Sequence, residues 1–258
     1  MRTCRSVGSL ERTAMTSNDL VLAIQAAGAS AYPNEACGVV IRAGKKSIPI
    51  PCKNVSEHPT MHFVIDVKDY AEASKLGEVI GIWHTHVEIP PFPSDADKMG
   101  CENSELPWYI VSVFKAGDTF EFSDMEVVEP SGFELDYLER PYAFGVLDCW
   151  SLVRDYYRRE YSIKLGDYPR IEKFWKEGYN FFGENWKKEG FKQLIDEEPR
   201  TGDLFLIQTD GDTPNHIAIY LGNEMILHHC HGRLSRRDIY GGYWQKHTTH
   251  HLRHESKC

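Results

Sequence analysis

The chain has no apolar run long enough to cross a membrane; its longest hydrophobic stretches, such as 79–83 and 108–113, have the length of strands. It also lacks an excess of positive charge. Lysine and arginine number 29 against 38 aspartates and glutamates, a formal charge of −9. A nucleic-acid-binding surface normally shows a basic patch, so the charge argues against that class and no nucleic-acid partner is expected. There is no CxxC pair, no internal repeat and no low-complexity tract. The seven cysteines (Cys4, Cys37, Cys52, Cys101, Cys149, Cys230 and Cys258) are odd in number and irregular in spacing. Such a set implies reduced thiols in place of a disulfide framework. The first residues carry Arg2, Arg5 and Arg12 but no apolar core, so no secretory signal is expected. Residues 1–14 are expected to be disordered or to reflect an upstream start, because Met15-Thr16-Ser17 leads directly into an amphipathic pattern.

What is present suits two domains of ordinary size, each able to bury a core. The stretch 126–132, Glu-Val-Val-Glu-Pro-Ser-Gly, carries loop punctuation and marks the boundary. Domains are expected at 15–127 and 137–258, joined by a linker at 128–136. In the first, the pattern predicts a helix at 17–30, strands at 37–41 and 47–51, a helix at 66–76 and an apolar strand at 108–113. A last strand pair is expected around 114–122. In the second it predicts a helix at 149–161, short capping helices within 166–195 and strands at 203–207, 216–221 and 225–230. The histidines at the end (His247, His250, His251, His254) read as a solvated tail. Mixed elements in this order suit an α/β or α+β class.

Two constellations carry chemistry. In His84-Thr85-His86 the imidazoles alternate along an apolar strand and share one face. With Asp97 they supply three N/O ligands, leaving a fourth tetrahedral position for water as at a catalytic zinc. Ser94 stands three residues before Asp97, a spacing that is also a helix capping box. The pattern H-x-H-x(7)-S-x(2)-D resembles the JAMM (MPN+) metallo-isopeptidases. That resemblance implies zinc held by His84, His86 and Asp97, Glu35 as general base and Ser94 stabilising the oxyanion. Val87 stands where many members have proline.

The second constellation begins with Cys149 at a predicted helix start, where the helix dipole favours a thiolate and lowers its pKa. His216 opens an alternating strand, and Gly222-Asn223 turns it into the strand that ends at His228. A hairpin symmetric about Gly222 makes His216 and His228 direct cross-strand neighbours. The order Asp148-Cys149, Gly202-Asp203, His216 and His228 resembles the NlpC-type cysteine peptidases. The resemblance implies Cys149 as nucleophile, His216 as base, His228 as the orienting third member and Tyr142 lining the oxyanion region. It also implies a papain-like domain with a small antiparallel sheet. Trp150-Ser151 departs from the usual Ser-Gly after the cysteine.

A JAMM-like α/β sandwich followed by an NlpC-type domain resembles a family of tail tip proteins of lambda-like phages. What that implies is a cysteine endopeptidase acting on peptidoglycan stem peptides, joined to a zinc-dependent (iso)peptidase. Other tail tip proteins would be its partners. It would be made in the host cytoplasm, carried in the virion and used in the periplasm on entry. The competing expectation is chiefly an assembly factor, its domains serving in processing or docking.

Overall fold

Residues 17–168 and 170–257 are described by the structure, a computed structural model. The expectation for residues 1–14 lies outside the described residues. The chain divides into two units. Among the described residues, the first comprises 17–55, Pro59–Phe92 and Pro107–Val127; the second comprises Ser56–His58, Pro93–Leu106 and the described residues from Val128 onward. The mixed α/β, two-domain class expected from the pattern is the one observed.

In the first unit, α1 (Ser17–Ala31) precedes the hairpin β1 (Cys37–Ala43) and β2 (Lys46–Cys52). Next come α2 (Val67–Leu76), whose N-terminus is capped by the Asp66 carboxylate, and the long strand β3 (Glu78–Val87). The chain then passes through α3 (Asp95–Ser104), which belongs to the second unit, before β4 (Trp108–Ala116), β5 (Thr119–Phe122) and β6 (Glu126–Val128). The sheet order is β2-β1-β3-β4-β5, with β6 also on β4. Only the β3/β4 pair is parallel among the registers described, as a chain returning through a helix requires. Leu20 and Ile24 of α1 bury against Ala36, Val40, Trp83 and Val111, one face of the sheet. Each such side chain contributes about 1.5–3 kcal/mol by leaving water. Gly28 permits the approach, since a Cβ there would sit 2.6 Å from the Val113 side chain. The opposite face carries the histidines. The sequence split 108–122 into a strand and a later pair, whereas β4 runs unbroken to Ala116 and itself pairs with β5.

The second unit contributes α4 (Cys149–Tyr161), α5 (Phe181–Asn185), β7 (Phe191–Leu194), β8 (Leu204–Ile207) and β9 (His216–Gly222). It continues with β10 (Met225–His228), β11 (Arg236–Ile239), α6 (Tyr243–His247) and β12 (Thr248–His254). The strands form an antiparallel sheet in the order β11-β10-β9-β8-β12-β7. Helix α4 is amphipathic, and Leu152, Val153, Tyr156 and Tyr157 share a core with Leu204, Leu206, Ile217, Ile219, Leu227 and Leu252. The other face of the sheet packs Phe205, Ile207, Ala218, Tyr220 and Ile226, with Phe205 stacked on Tyr240 at 3.9 Å.

Two expectations are corrected here. The segment 166–195 does form short helices, but its end is strand β7, an edge of the sheet. The histidine-rich end is no solvated tail: His247 closes α6, and His250, His251 and His254 lie in β12, between β8 and β7. Leu252 is buried in the core. Arg253 donates to both oxygens of Asp203 at 2.8 Å, and His251 Nε2 lies 2.7 Å from Oδ2. Those partners are about fifty residues upstream, beyond the reach of a local pattern.

Candidate active sites

Strand β3 sets up the first cluster. Its register pairs Cys37 with His84, and the ladder continues through Thr85 N–H donating to the Ala36 carbonyl at 2.9 Å. Continuing that register two places sets Glu35 opposite His86, so Glu35, His84 and His86 belong to the face away from α1. All three are buried. The backbone of Glu35 is pinned by its N–H donating to Pro59 O at 2.7 Å and by Asn54 Nδ2 donating to Glu35 O at 3.0 Å. His84 stacks on Phe63 with ring centroids 4.5 Å apart and meets Trp108 edge-on at 5.7 Å. His86 Nδ1 lies 3.0 Å from Pro90 O, a carbonyl, so that nitrogen carries the proton and the lone pair falls on Nε2.

Ser94 caps α3 in a complete capping box. Its N–H and its hydroxyl both donate to Asp97 Oδ2 at 2.7 Å, and Asp97 N–H donates back to Ser94 Oγ at 3.1 Å. A carboxylate has two oxygens, so the capping role and a ligand role are compatible. His84 and His86 stand on β3 of the first unit, and Asp97 opens α3 of the second. Two imidazoles and a carboxylate are a donor set that suits a zinc-like cation. The Ser94 hydroxyl, assigned from resemblance to an oxyanion, is here committed to Asp97.

In the second unit, Asp148 is the N-cap of α4, accepting from Ser151 N–H at 2.9 Å, while Ser151 Oγ bonds the cap N–H at 2.7 Å. Gly145, at φ +82, turns the preceding loop so that its N–H donates to Asp148 Oδ2 at 2.9 Å. Buried Arg170 donates to the same oxygen at 2.6 Å. Burial alone would raise the Asp148 carboxyl, yet the Arg170 charge and these donors hold it below its ordinary value. Cys149 therefore opens the helix beside a fixed carboxylate.

The thiol behaves otherwise than the helix dipole suggested. Burial first, then the Asp148 charge, push Cys149 well above its ordinary value. Arg170 and the Ile217 N–H oppose that without prevailing. His216 is driven down to about 3, chiefly by burial and then by His228. The resting pair is a neutral thiol and a neutral imidazole.

His216 and His228 do meet, with Nε2 3.0 Å from Nδ1, but not as direct cross-strand partners. Asn223 and Glu224, both at positive φ, make the turn, and a bulge follows between Met225 and Ile226. His228 is thereby paired with Ala218, two residues along β9 and on the same face as His216. His228 Nε2 lies 3.1 Å from Asp238 Oδ2 on β11. A carboxylate accepts, so His228 Nε2 carries its proton and Nδ1 accepts from His216 Nε2–H. The lone pair of His216 is left on Nδ1. Among the described residues, the hydrogen bonds of the His216 ring run to His228 and Cys230, and none is drawn to Cys149. Cys149 lies near the adjoining residue, close enough for the Ile217 N–H to oppose the rise in its pKa. Tyr142 packs its ring on His229 and His231, and burial first, then the Asp148 and Cys149 charges, raise its phenol.

Sequence reasoning missed Asp238, Arg170 and Cys230. Arg170 and Asp238 carry no local signal. Cys230 had one, the compact His228-His229-Cys230-His231 run, and its Sγ lies 3.5 Å from His228 Nδ1.

Residues 17–124 match the prokaryotic homologs of the JAB domain, and residues 139–253 match the NlpC/P60 family. Tail tip assembly protein K of Escherichia phage N15 is 41% identical over 228 residues, 88% of this chain and 90% of that protein. Tail tip assembly protein K of Escherichia phage lambda is 31% identical over 189 residues, covering 73% of this chain and 88% of that one. A crystal structure of an NlpC/P60 family protein from Bacillus cereus ATCC 10987 is 13% identical and covers 88% of this chain and 65% of that chain, at a TM-score of 0.34.

Proposed function

Because this chain belongs to the tail tip assembly protein K family, we propose that it serves at a phage tail tip and carries a thiol endopeptidase that opens peptidoglycan stem peptides. The observation that carries this reading is the hydrogen-bonded series His216–His228–Asp238 beside the helix-start Cys149. Cys149 attacks the peptide carbonyl carbon while His216 Nδ1 takes the thiol proton, and the same proton passes to the departing amine. Water then cleaves the thioester, returning the proton to sulfur and releasing the acid. His228 orients His216, Asp238 orients His228, and Tyr142 lines the region where the oxyanion develops.

The first domain is read as a metal-dependent (iso)peptidase. His84, His86 and Asp97 would hold zinc, and zinc when bound polarises a carbonyl and lowers the pKa of water. Glu35 would carry a proton to a leaving amine. Ser94 fixes Asp97, and its hydroxyl would have to leave that carboxylate to serve an oxyanion. The partners in this reading are stem peptides and other tail tip proteins, with action in the host periplasm on entry.

The test is mass spectrometry of peptides released from purified sacculi by the full chain. Wild type is expected to release cleaved stem peptides, Cys149→Ala none and His216→Ala almost none. Release that survives Cys149→Ala but is lost in Glu35→Ala would overturn this division of labour. Tail assembly by Cys149→Ala, scored in parallel, separates the enzymatic role from an assembly role.

A further inference from the structure

Cys230 has no part in the mechanism above, yet it completes a triangle with both imidazoles. Its Sγ lies 3.5 Å from His228 Nδ1 and 4.0 Å from His216 Nε2, and those nitrogens are 3.0 Å apart. A tetrahedral zinc with bonds of about 2.0–2.1 Å to nitrogen and about 2.3 Å to sulfur sets ligands roughly 3.3 Å apart for N···N and roughly 3.6 Å for N···S. The three observed edges fall within about half an ångström of those values. A second observation points the same way. Asp238 holds the far nitrogen of His228, the carboxylate–imidazole pairing that orients a ligating histidine. Cys230 is partly exposed, which gives an ion a way in, while both histidines are buried.

We propose that His216 Nε2, His228 Nδ1 and Cys230 Sγ form a binding site for a thiophilic divalent cation of the zinc class, and that its occupation holds the peptidase off. The first half stands on geometry alone; the second rests on the reading of His216 as base. Proton balance explains the coupling. On binding, the Cys230 thiol gives its proton to solvent and the cation takes the Nε2 lone pair of His216. The ring proton of His216 therefore moves from Nε2 to Nδ1, and one proton is released per cation. Nδ1 is then a donor and has no lone pair for the Cys149 thiol. The donor set differs in kind from the first cluster, which offers nitrogen and oxygen only.

Cobalt(II) titration of the full chain distinguishes the two, because a thiolate ligand gives a near-ultraviolet charge-transfer band and N/O ligands do not. One equivalent is expected to produce the band in wild type, His84→Ala and Cys149→Ala, and to produce none in Cys230→Ala. Proton release in weak buffer should be lost in the same variant. Persistence of the band in Cys230→Ala, or its loss in Cys149→Ala, would overturn the site. Zinc should abolish sacculus hydrolysis by wild type, a chelator should restore it, and Cys230→Ala should lose that sensitivity while keeping basal hydrolysis. A band in wild type with no inhibition would leave the site standing and overturn the coupling. A band with no hydrolysis under any condition would overturn the peptidase reading, and with it the coupling, while leaving the site intact.

Discussion

Asp238 Oδ2 lies 3.1 Å from Nε2 of His228, and this contact fixes where the protons of both site imidazoles sit. Arg236 donates to the same oxygen at 2.7 Å, which keeps the carboxylate facing the strand before it. Asp238→Ala should lower kcat on stem peptides by about 10–100-fold with little change in KM, the scale on which outer partners of an oriented imidazole act. Asp238→Glu should recover part of the loss. An equal rise in KM in place of a fall in kcat would show that Asp238 shapes the substrate cleft.

Stability of the second unit should fall in mild acid. Burial, the largest cause in each case, lowers His216 to about 3, His229 to about 4 and His228 below its ordinary value. An unfolded chain takes up those protons near pH 6.5, so between there and the depressed values it binds more protons than the folded one. The contribution is fully present above pH 6.5 and is lost as pH falls toward 4 and then 3, with a slope up to about 1.4 kcal/mol per pH unit for each group. Urea midpoints compared at pH 7.5 and 5.5 should show the drop, and His216→Gln should make it shallower. Asp148 and Asp203 are held below the ordinary carboxyl value, so their effects come at still lower pH. A midpoint unchanged across this interval would contradict neutral buried rings.

Much of this was written locally in the chain. The helical period of Leu152, Val153 and Tyr156 places α4 from sequence alone. The strict alternation of His84 and His86 places them on one face, and Ser94-x-x-Asp97 marks the next helix. What was hidden depends on pairing at a distance. The turn at Asn223–Glu224 and the bulge after Met225 move the hairpin off Gly222, which no apolar pattern records. Asp238 reaches His228 only because β11 lies on β10. The thiol of Cys149 was expected to be acidic from its helix position, and burial with Asp148 outweighs that local field.

That reversal has its own consequence. A thiol held above its ordinary value is less ionised than a free cysteine at every pH below it. Alkylation of Cys149 by iodoacetamide, followed by peptide mass spectrometry, should be slow near pH 7 and still climbing as pH passes 9. A rate that reaches its plateau near pH 6 would instead show a preformed thiolate.

Strand β12 supplies a stability test. Asp203 and Arg253 are both almost fully buried, and Arg253 makes two hydrogen bonds to that carboxylate. Removing one partner of such a pair costs about 3–5 kcal/mol, because a buried charge is left behind. Arg253→Ala should lower the thermal midpoint of the second unit accordingly. The double change Asp203→Leu with Arg253→Met should recover much of the loss, since no buried charge remains. A cost under about 1 kcal/mol for the single variant would mean that the pair behaves as a surface one.

The first cluster allows metal binding and proton handling to be separated. His84 and His86 come from one strand, and the Ser94 cap fixes one oxygen of Asp97. Glu35 belongs to the same sheet face by register but is a base in the proposed chemistry, not a ligand. Metal content should therefore be measured in a Cys230→Ala background, which removes the thiolate site. Zinc should be close to one per chain there and should fall to near zero in His84→Ala or Asp97→Asn. Glu35→Gln should keep the zinc, because the amide preserves shape and removes only the proton acceptor. Ser94→Ala should cost about 1 kcal/mol through the lost cap and should weaken zinc as well, since the carboxylate loses the donor that orients it. If Glu35→Gln loses its metal together with His84→Ala, Glu35 is itself a ligand and the assignment of the base must move to another residue.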